Sequence, residues 1–165
     1  MFYEKVFKTF KAFKVKYLLG GGLAVNLHGV PRFTKDIDIL IDLSTSNLNR
    51  LRKALEKLNY KPKIPVTMNE FLKPENWKKW KREKGMLSLS LYNPENPFEE
   101  LDLLVNVDLK FESASKRKMS LKSSNFEVDV VGIDDLIKMK IKAGRAQDKS
   151  DVIALRKVKK VKYEE

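Results

Sequence analysis

The stretch Asp36-Ile37-Asp38-Ile39-Leu40-Ile41-Asp42 constrains this chain more than any other. It reads as a β-strand, and strand side chains alternate between two faces. Ile37, Ile39 and Ile41 therefore point one way, into a core, while Asp36 and Asp38 point the other way. A fold built on this strand must bury one face and hold two like charges together on the opposite one. A hard divalent cation relieves such repulsion through oxygen ligation. The competing reading is a strand edge guarded by inward charge.

Upstream, Val15 to Leu19 is a second apolar strand, Gly20-Gly21-Gly22 a turn, and Leu23 to His28 a short helix. Backbone N–H groups at a helix N-terminus suit a phosphate. Gly21 and Gly22 would let the backbone approach one, although glycine-rich turns are common. No Gly-Lys-Ser/Thr loop is present, which argues against a P-loop enzyme. Alternation from Arg32 to Asp42 places Arg32 and Thr34 on the face of Asp36 and Asp38. A planar guanidinium clamps phosphate well; the alternative for Arg32 is a solvated turn. Asp42, at the strand end, is expected to be solvated. Two-metal phosphoryl chemistry calls for a further carboxylate. Asp102, in an otherwise apolar strand, is the first choice, with Asp108 and Glu100 as fallbacks. Asp102 would act as metal ligand and as general base. Together these residues imply phosphoryl or nucleotidyl transfer.

The chain has 165 residues, 42% of them hydrophobic, enough for one domain with a real core. Its 34 basic and 22 acidic side chains give a formal charge of +12, which favours polyanionic partners. There is no cysteine, which excludes disulfides, thiolate zinc sites and cysteine nucleophiles. No apolar run is long enough to span a membrane. The amphipathic, lysine-rich N-terminus lacks the apolar core of a secretory signal, so a cytoplasmic protein is expected.

Along the chain, Tyr3 to Phe13 reads as a helix with Val6, Phe7, Phe10 and Phe13 on one stripe. A helix capped by Ser44 or Ser46 runs to about Tyr60. Residues 61–85 are broken by Pro62, Pro65 and Pro74, with a basic helix over Glu75 to Lys84. Met86 to Tyr92 and Leu101 to Val107 form an antiparallel hairpin across a turn at Asn93 to Pro97. Lys118 to Val131 is strand, turn, strand. Helices follow over Ile133 to Ala143, ended by Gly144, and from Asp148 to about Lys160. The expected class is α+β, a short mixed sheet flanked by helices, within a single domain over 1–165. Residues 61–85 read as a basic insertion and 133–162 as a C-terminal helical element.

Gly21-Gly22-Leu23-Ala24, Leu27-His28-Gly29 and Arg32-Phe33-Thr34-Lys35-Asp36-Ile37-Asp38 resemble the signature of the DNA polymerase β-like nucleotidyltransferase superfamily, especially its small prokaryotic members related to AbiEii-type toxins. Thirteen residues separate Gly22 from Asp36, and Asp102 stands as the third aspartate. A second block, Asp135 to Lys140 and Ala143 to Asp151, is similar to the Lys…Arg-x-x-Asp-x-x-Asp element of that group. The resemblance implies the superfamily's fold, Mg²⁺ (or Mn²⁺) and an NTP as substrate. It also implies that basic residues of the second block face the nucleotide. It implies no acceptor, since members modify tRNA ends, proteins and antibiotics, and some are inactive. Apart from the two C-terminal helices no large acceptor-binding domain is expected in these 165 residues.

Read without the family, a helix from Ile133 puts Lys138 and Lys142 on one face and Lys140 on another. Lys140 is assigned to the nucleotide by the resemblance alone. Asp148 and Asp151 lie at the start of the last helix, where acids complement the macrodipole. They either cap and pair with Arg145, or orient Arg145 or Lys140 toward a phosphate. Trp77 and Trp80 in the basic helix either pack as an apolar stripe or contact nucleic acid. His28, the only histidine, is expected to pack rather than react.

The expected function is Mg²⁺-dependent transfer of an NMP group from an NTP to an acceptor such as tRNA or a protein. Asp36, Asp38 and Asp102 carry the metal and the chemistry. Gly21, Gly22, Arg32, Thr34, Lys140, Arg145 and Asp148 bind the nucleotide. The alternatives are a catalytically inactive nucleic-acid-binding or regulatory protein on the same fold, and a toxin held in check by an antitoxin protein.

Overall fold

The computed structural model describes residues 2–163. Its frame is a mixed seven-stranded sheet. In chain order the strands are β1 (Tyr17–Gly20), β2 (Ile37–Ile41), β3 (Lys61–Pro62), β4 (Ser88–Asn93), β5 (Asn96–Leu104), β6 (Met119–Lys122) and β7 (Glu127–Val130). They lie side by side as β3-β4-β5-β2-β1-β7-β6. β2 is central. It pairs antiparallel with β1 and parallel with β5, so both flanks of the Asp-Ile-Asp strand are hydrogen-bonded.

The helices are α1 (Phe2–Ala12), α2 (Gly21–Leu27), α3 (Thr45–Lys57), α4 (Met68–Phe71), α5 (Pro74–Lys84), α6 (Phe111–Ser115), α7 (Ile133–Ala143) and α8 (Ala146–Tyr163). Apolar spacing explains the burial of Val6, Phe7 and Phe10 on α1 and of Leu48, Leu51 and Leu55 on α3. Ile37, Ile39 and Ile41 join Leu89, Leu91, Leu101 and Leu103 in the core. Removing this surface from water, at roughly 25 cal/mol per Å² of apolar area, is the main force holding β2 in place.

A second device pins β2. Ser44 caps α3, its hydroxyl accepting from the Asn47 amide. Asn47 is fully buried, with its side chain bonded to Lys16 N and O and to Asp42 O at 2.7–2.9 Å. One satisfied amide thus ties the entry of β1 to the exit of β2. Asp42 is half-buried rather than fully solvated, and accepts from the Ser44 hydroxyl.

Several boundaries differ from the sequence reading. β2 begins at Ile37, not at Arg32, because β1 ends at Gly20 opposite Asp38 and turns away into α2. Arg32 to Asp36 is consequently an unpaired approach segment. Gly20 belongs to β1, and α2 starts at Gly21 rather than Leu23. β5 starts early, at Asn96, and stops at Leu104; just beyond it the Asn106 side chain donates to Trp77 O and Met86 O while its backbone N–H donates to Leu87 O. Residues 61–85 hold β3, α4 and α5. A Thr67–Glu70 capping box opens α4, and Pro74 sits in the first turn of α5. α8 starts at Ala146, two residues before the expected Asp148.

Trp77 is buried, its indole N–H donating to Phe71 O at 2.6 Å, while Trp80 is partly buried against the core. Both therefore pack. His28 is buried, with Nε2 at 2.8 Å from Val131 O. Burial and the charge of Lys162 lower its pKa against the opposing effect of that hydrogen bond, so it serves as a neutral tie. Among the described residues no helix is long and apolar enough to cross a membrane.

Candidate active site

The carboxylates gather on and beside the neighbouring strands β2 and β5. β2 and β5 run parallel with Asp38 directly across from Asp102, and Ser90 on β4 lies across from Asp102 on the other side. Alternation puts all three side chains on the face opposite the Ile37–Leu103 core. Asp36 lies just before β2, and all three aspartates are half-buried.

Here negative charge is poorly compensated. Oδ1 of Asp36 and Oδ1 of Asp102 are buried with no hydrogen-bond partner among the described residues. Asp38 is pushed up to about 7, first by burial, then by the charges of Asp102 and Asp36, with the Lys140 charge opposing and a hydrogen bond to Asp102 adding to the rise. Asp102 is raised too, mainly by burial, although a hydrogen bond from Ser90 offsets part of the rise. Ser90 was readable as a neighbour from the Leu87/Leu89/Leu91 alternation, but its register against Asp102 was not. Of the fallback acids, Glu100 pairs with Lys63 at 2.5 Å, close enough for both charges to act on Asp102, and Asp108 pairs with Lys142 at the surface.

The glycines abut these acids. Gly21 has φ +64, a left-handed conformation that favours glycine, and a Cβ there would lie 2.6 Å from Asp38 Cγ. A Cβ on Gly22 would lie 2.7 Å from Thr34 Oγ1 and 3.2 Å from Arg32 Cζ. The glycines thus give room to Asp38, Thr34 and Arg32, a reason the phosphate argument had not supplied. Thr34 and Arg32 reach the first turn of α2 from an unpaired segment rather than from a strand.

The second block forms a different kind of cluster. Lys140 is buried, and its ammonium lies 3.3 Å from Asp148 Oδ1 and 3.0 Å from Asp151 Oδ2. Lys138 and Lys142 are exposed, as the helical offset requires. Arg145 grips Asp148 through Nε at 2.7 Å, Nη2 at 3.3 Å and its backbone N–H at 3.1 Å, with most of its side chain in solvent. Burial works to raise the Asp148 pKa, but the hydrogen bonds and charges of Arg145 and Lys140 win, and the net shift is downward. Asp151 also receives Arg32 from the approach to β2, a contact no sequence spacing indicated.

A divalent cation fits the first cluster by its donor chemistry. The groups are all carboxylate oxygens, two of them orphaned, and the central acid is hard to ionise without added positive charge. Among the described residues no three His, Cys, Asp or Glu side chains form a ready-made metal cage.

Residues 7–152 match the family described as "Nucleotidyl transferase AbiEii toxin, Type IV TA system". No protein of curated function matches the sequence significantly. Among solved structures, the chain is similar to the lincosamide antibiotic adenylyltransferase LnuA with lincomycin bound. The TM-score is 0.60 at 18% identity, over 95% of this chain and 94% of that one. It is also similar to ANT(2″)-Ia in complex with adenylyl-2″-tobramycin, with TM-score 0.60 and 13% identity over 96% and 91% of the two chains. A third likeness, with TM-score 0.54 and 16% identity, is to an antigenic nucleotidyltransferase-like protein from Paracoccidioides brasiliensis, over 92% of this chain and 72% of that one. These likenesses carry the nucleotidyltransferase fold, and the sheet and helices described above match it.

Proposed function

We propose, for a chain that belongs to the AbiEii nucleotidyl transferase family, an enzyme that moves an NMP group from an NTP to an acceptor hydroxyl. Asp36, Asp38 and Asp102 would hold Mg²⁺ or Mn²⁺. The observation that carries this reading is the uncompensated acidic corner. Asp38 and Asp102 face each other across parallel strands, the Asp38 pKa is raised to about 7, and two neighbouring oxygens lack partners among the described residues.

The bound ions would supply charge neutralisation and Lewis-acid polarisation of the phosphoryl oxygens. The chain's own residues do the rest. The first turn of α2 and the side chains of Arg32 and Thr34 line the space where phosphates are to be held, and Arg145 offers exposed donors nearby. Lys140 and Asp148 support the nucleotide site through the charge cluster. Asp102 takes the proton of the acceptor hydroxyl as its oxygen bonds to the α-phosphorus. The bond from the α-phosphorus to the bridging oxygen breaks, and pyrophosphate leaves with the electron pair. Positioning and electrostatics dominate such transfers.

The test offers each α-labelled NTP with Mg²⁺ to the protein, with total tRNA or total protein as acceptor. Wild type transfers label and releases pyrophosphate, while Asp36→Ala falls to background with its fold intact. Undiminished transfer by Asp36→Ala would sink the assignment. The family's description as a toxin supports a second, compatible reading: the transfer disables a cellular acceptor, and an antitoxin counteracts it. Induced expression should then arrest growth, and the Asp36→Ala/Asp38→Ala variant should not.

A further inference from the structure

We propose that Asp151 is a positioning residue that aims the Arg32 guanidinium across the first turn of α2, toward the nucleotide's phosphates. This rests on the nucleotide-binding reading above. Arg32 sits in the unpaired segment before β2, where only its backbone N–H is fixed, by Asn26 Oδ1 at 2.9 Å. An arginine in such a segment is free to sample many rotamers in water. Here it does not: Nη1 donates to Asp151, 119 residues away on α8. That contact brings Cζ to within 3.2 Å of the point a Gly22 Cβ would occupy.

Asp151 is itself held still. It is 2% exposed, its Oδ1 accepts from Gln147 Nε2 at 3.0 Å, and its Oδ2 is shared with Lys140 Nζ at 3.0 Å. Two cations and an amide surround this buried carboxylate and fix its orientation. A guanidinium has donors on three nitrogens. The anchor uses Nη1, and Nε makes only a long contact to Phe33 O at 3.4 Å. Nη2 makes no hydrogen bond among the described residues, and 22% of the side chain stays exposed. The arginine is therefore oriented without being used up. In this account α8 belongs to the active site through Asp151, although no α8 side chain need touch substrate.

The experiment is a cycle of wild type, Asp151→Asn, Arg32→Ala and the double variant, with KM and kcat for each Mg·NTP and melting temperatures as a check of folding. Asp151→Asn should raise KM about tenfold and leave kcat within about threefold. In the Arg32→Ala background it should add less than about twofold, because the two act as one unit. Gln147→Ala, at an exposed position that tolerates change, should raise KM by about two- to threefold by loosening Asp151. A nucleotide-free readout separates this inference from the function it rests on. The Arg32 Nε–H resonance should be distinct in wild type and move to the position of solvated arginines in Asp151→Asn. Additive effects in the cycle, an effect on kcat alone, or an unmoved Arg32 resonance would overturn the proposal. An Arg32 resonance that moves as expected in a protein that binds no nucleotide would instead fault the proposed function.

Discussion

The acidic corner on β2 and β5 and the charge cluster between α7 and α8 are both built on aspartates, with opposite charge balance. Asp148 and Asp151 are the more deeply buried acids, yet each oxygen has a cation or an N–H donor, and Asp148 is easier to ionise than usual. Asp36, Asp38 and Asp102 are less buried, yet two of their oxygens find no partner among the described residues and Asp38 is hard to ionise. Burial alone does not decide a carboxylate's state; the supply of positive charge does. One cluster is complete within the chain. The other has two carboxylate oxygens that no described residue satisfies.

Removing one member of the complete cluster should have the largest effect on the fold. Asp148→Ala leaves Lys140 buried with one partner fewer and should cost about 3–5 kcal/mol in denaturant melts. If the cost is under about 1 kcal/mol, the helices pack without the network and the contrast fails. The incomplete corner predicts the reverse sign. Asp38→Asn removes a strained charge and should stabilise the nucleotide-free protein by about 1–3 kcal/mol at pH 8. A loss of stability there would mean the corner is compensated after all.

The two regions also respond oppositely to pH. The folded pKa of Asp38, about 7, lies above its unfolded value of 3.8. The folded state therefore binds the extra proton, and this contribution to stability falls as pH rises from about 4 through about 7. The folded pKa of Asp148 is depressed, so its contribution holds above the unfolded value and is lost as pH drops through the folded one. Mg²⁺ should flatten the Asp38 slope by favouring the ionised form, read as melting temperature against pH with and without the ion. The smallest effect belongs to the exposed face of α7. Lys142→Ala breaks a surface pair with Asp108 and should change stability by no more than about 0.5 kcal/mol.

The acidic corner was legible because a period of two is a strong constraint. Ile37 and Ile39 in the core fix where Asp38 must point, and the apolar run after Leu101 marked Asp102 as an acid out of place. The α7 helix was equally plain, with Gly144 in a left-handed C-cap where the spacing put it. Arg32 to Asp36 alternates like a strand but is none, because local alternation says nothing about whether a partner strand exists, and β1 runs out at Gly20. The Arg32–Asp151 contact joins residues 119 apart, and no local pattern carries such information. Gly21 reads as room for a phosphate, and the structure adds that a side chain there would run into Asp38. Such a close approach depends on strand register rather than on motif.

The account's central claim is that the acidic corner receives its missing positive charge together with a nucleotide. Calorimetric titration of ATP, GTP, CTP and UTP, with Mg²⁺ and with EDTA, into wild type and into Asp36→Ala/Asp38→Ala tests it most directly. The account predicts binding of at least one nucleotide by wild type only with Mg²⁺, and its loss in the double variant. Binding that survives EDTA, or that the double variant retains in full, would contradict it.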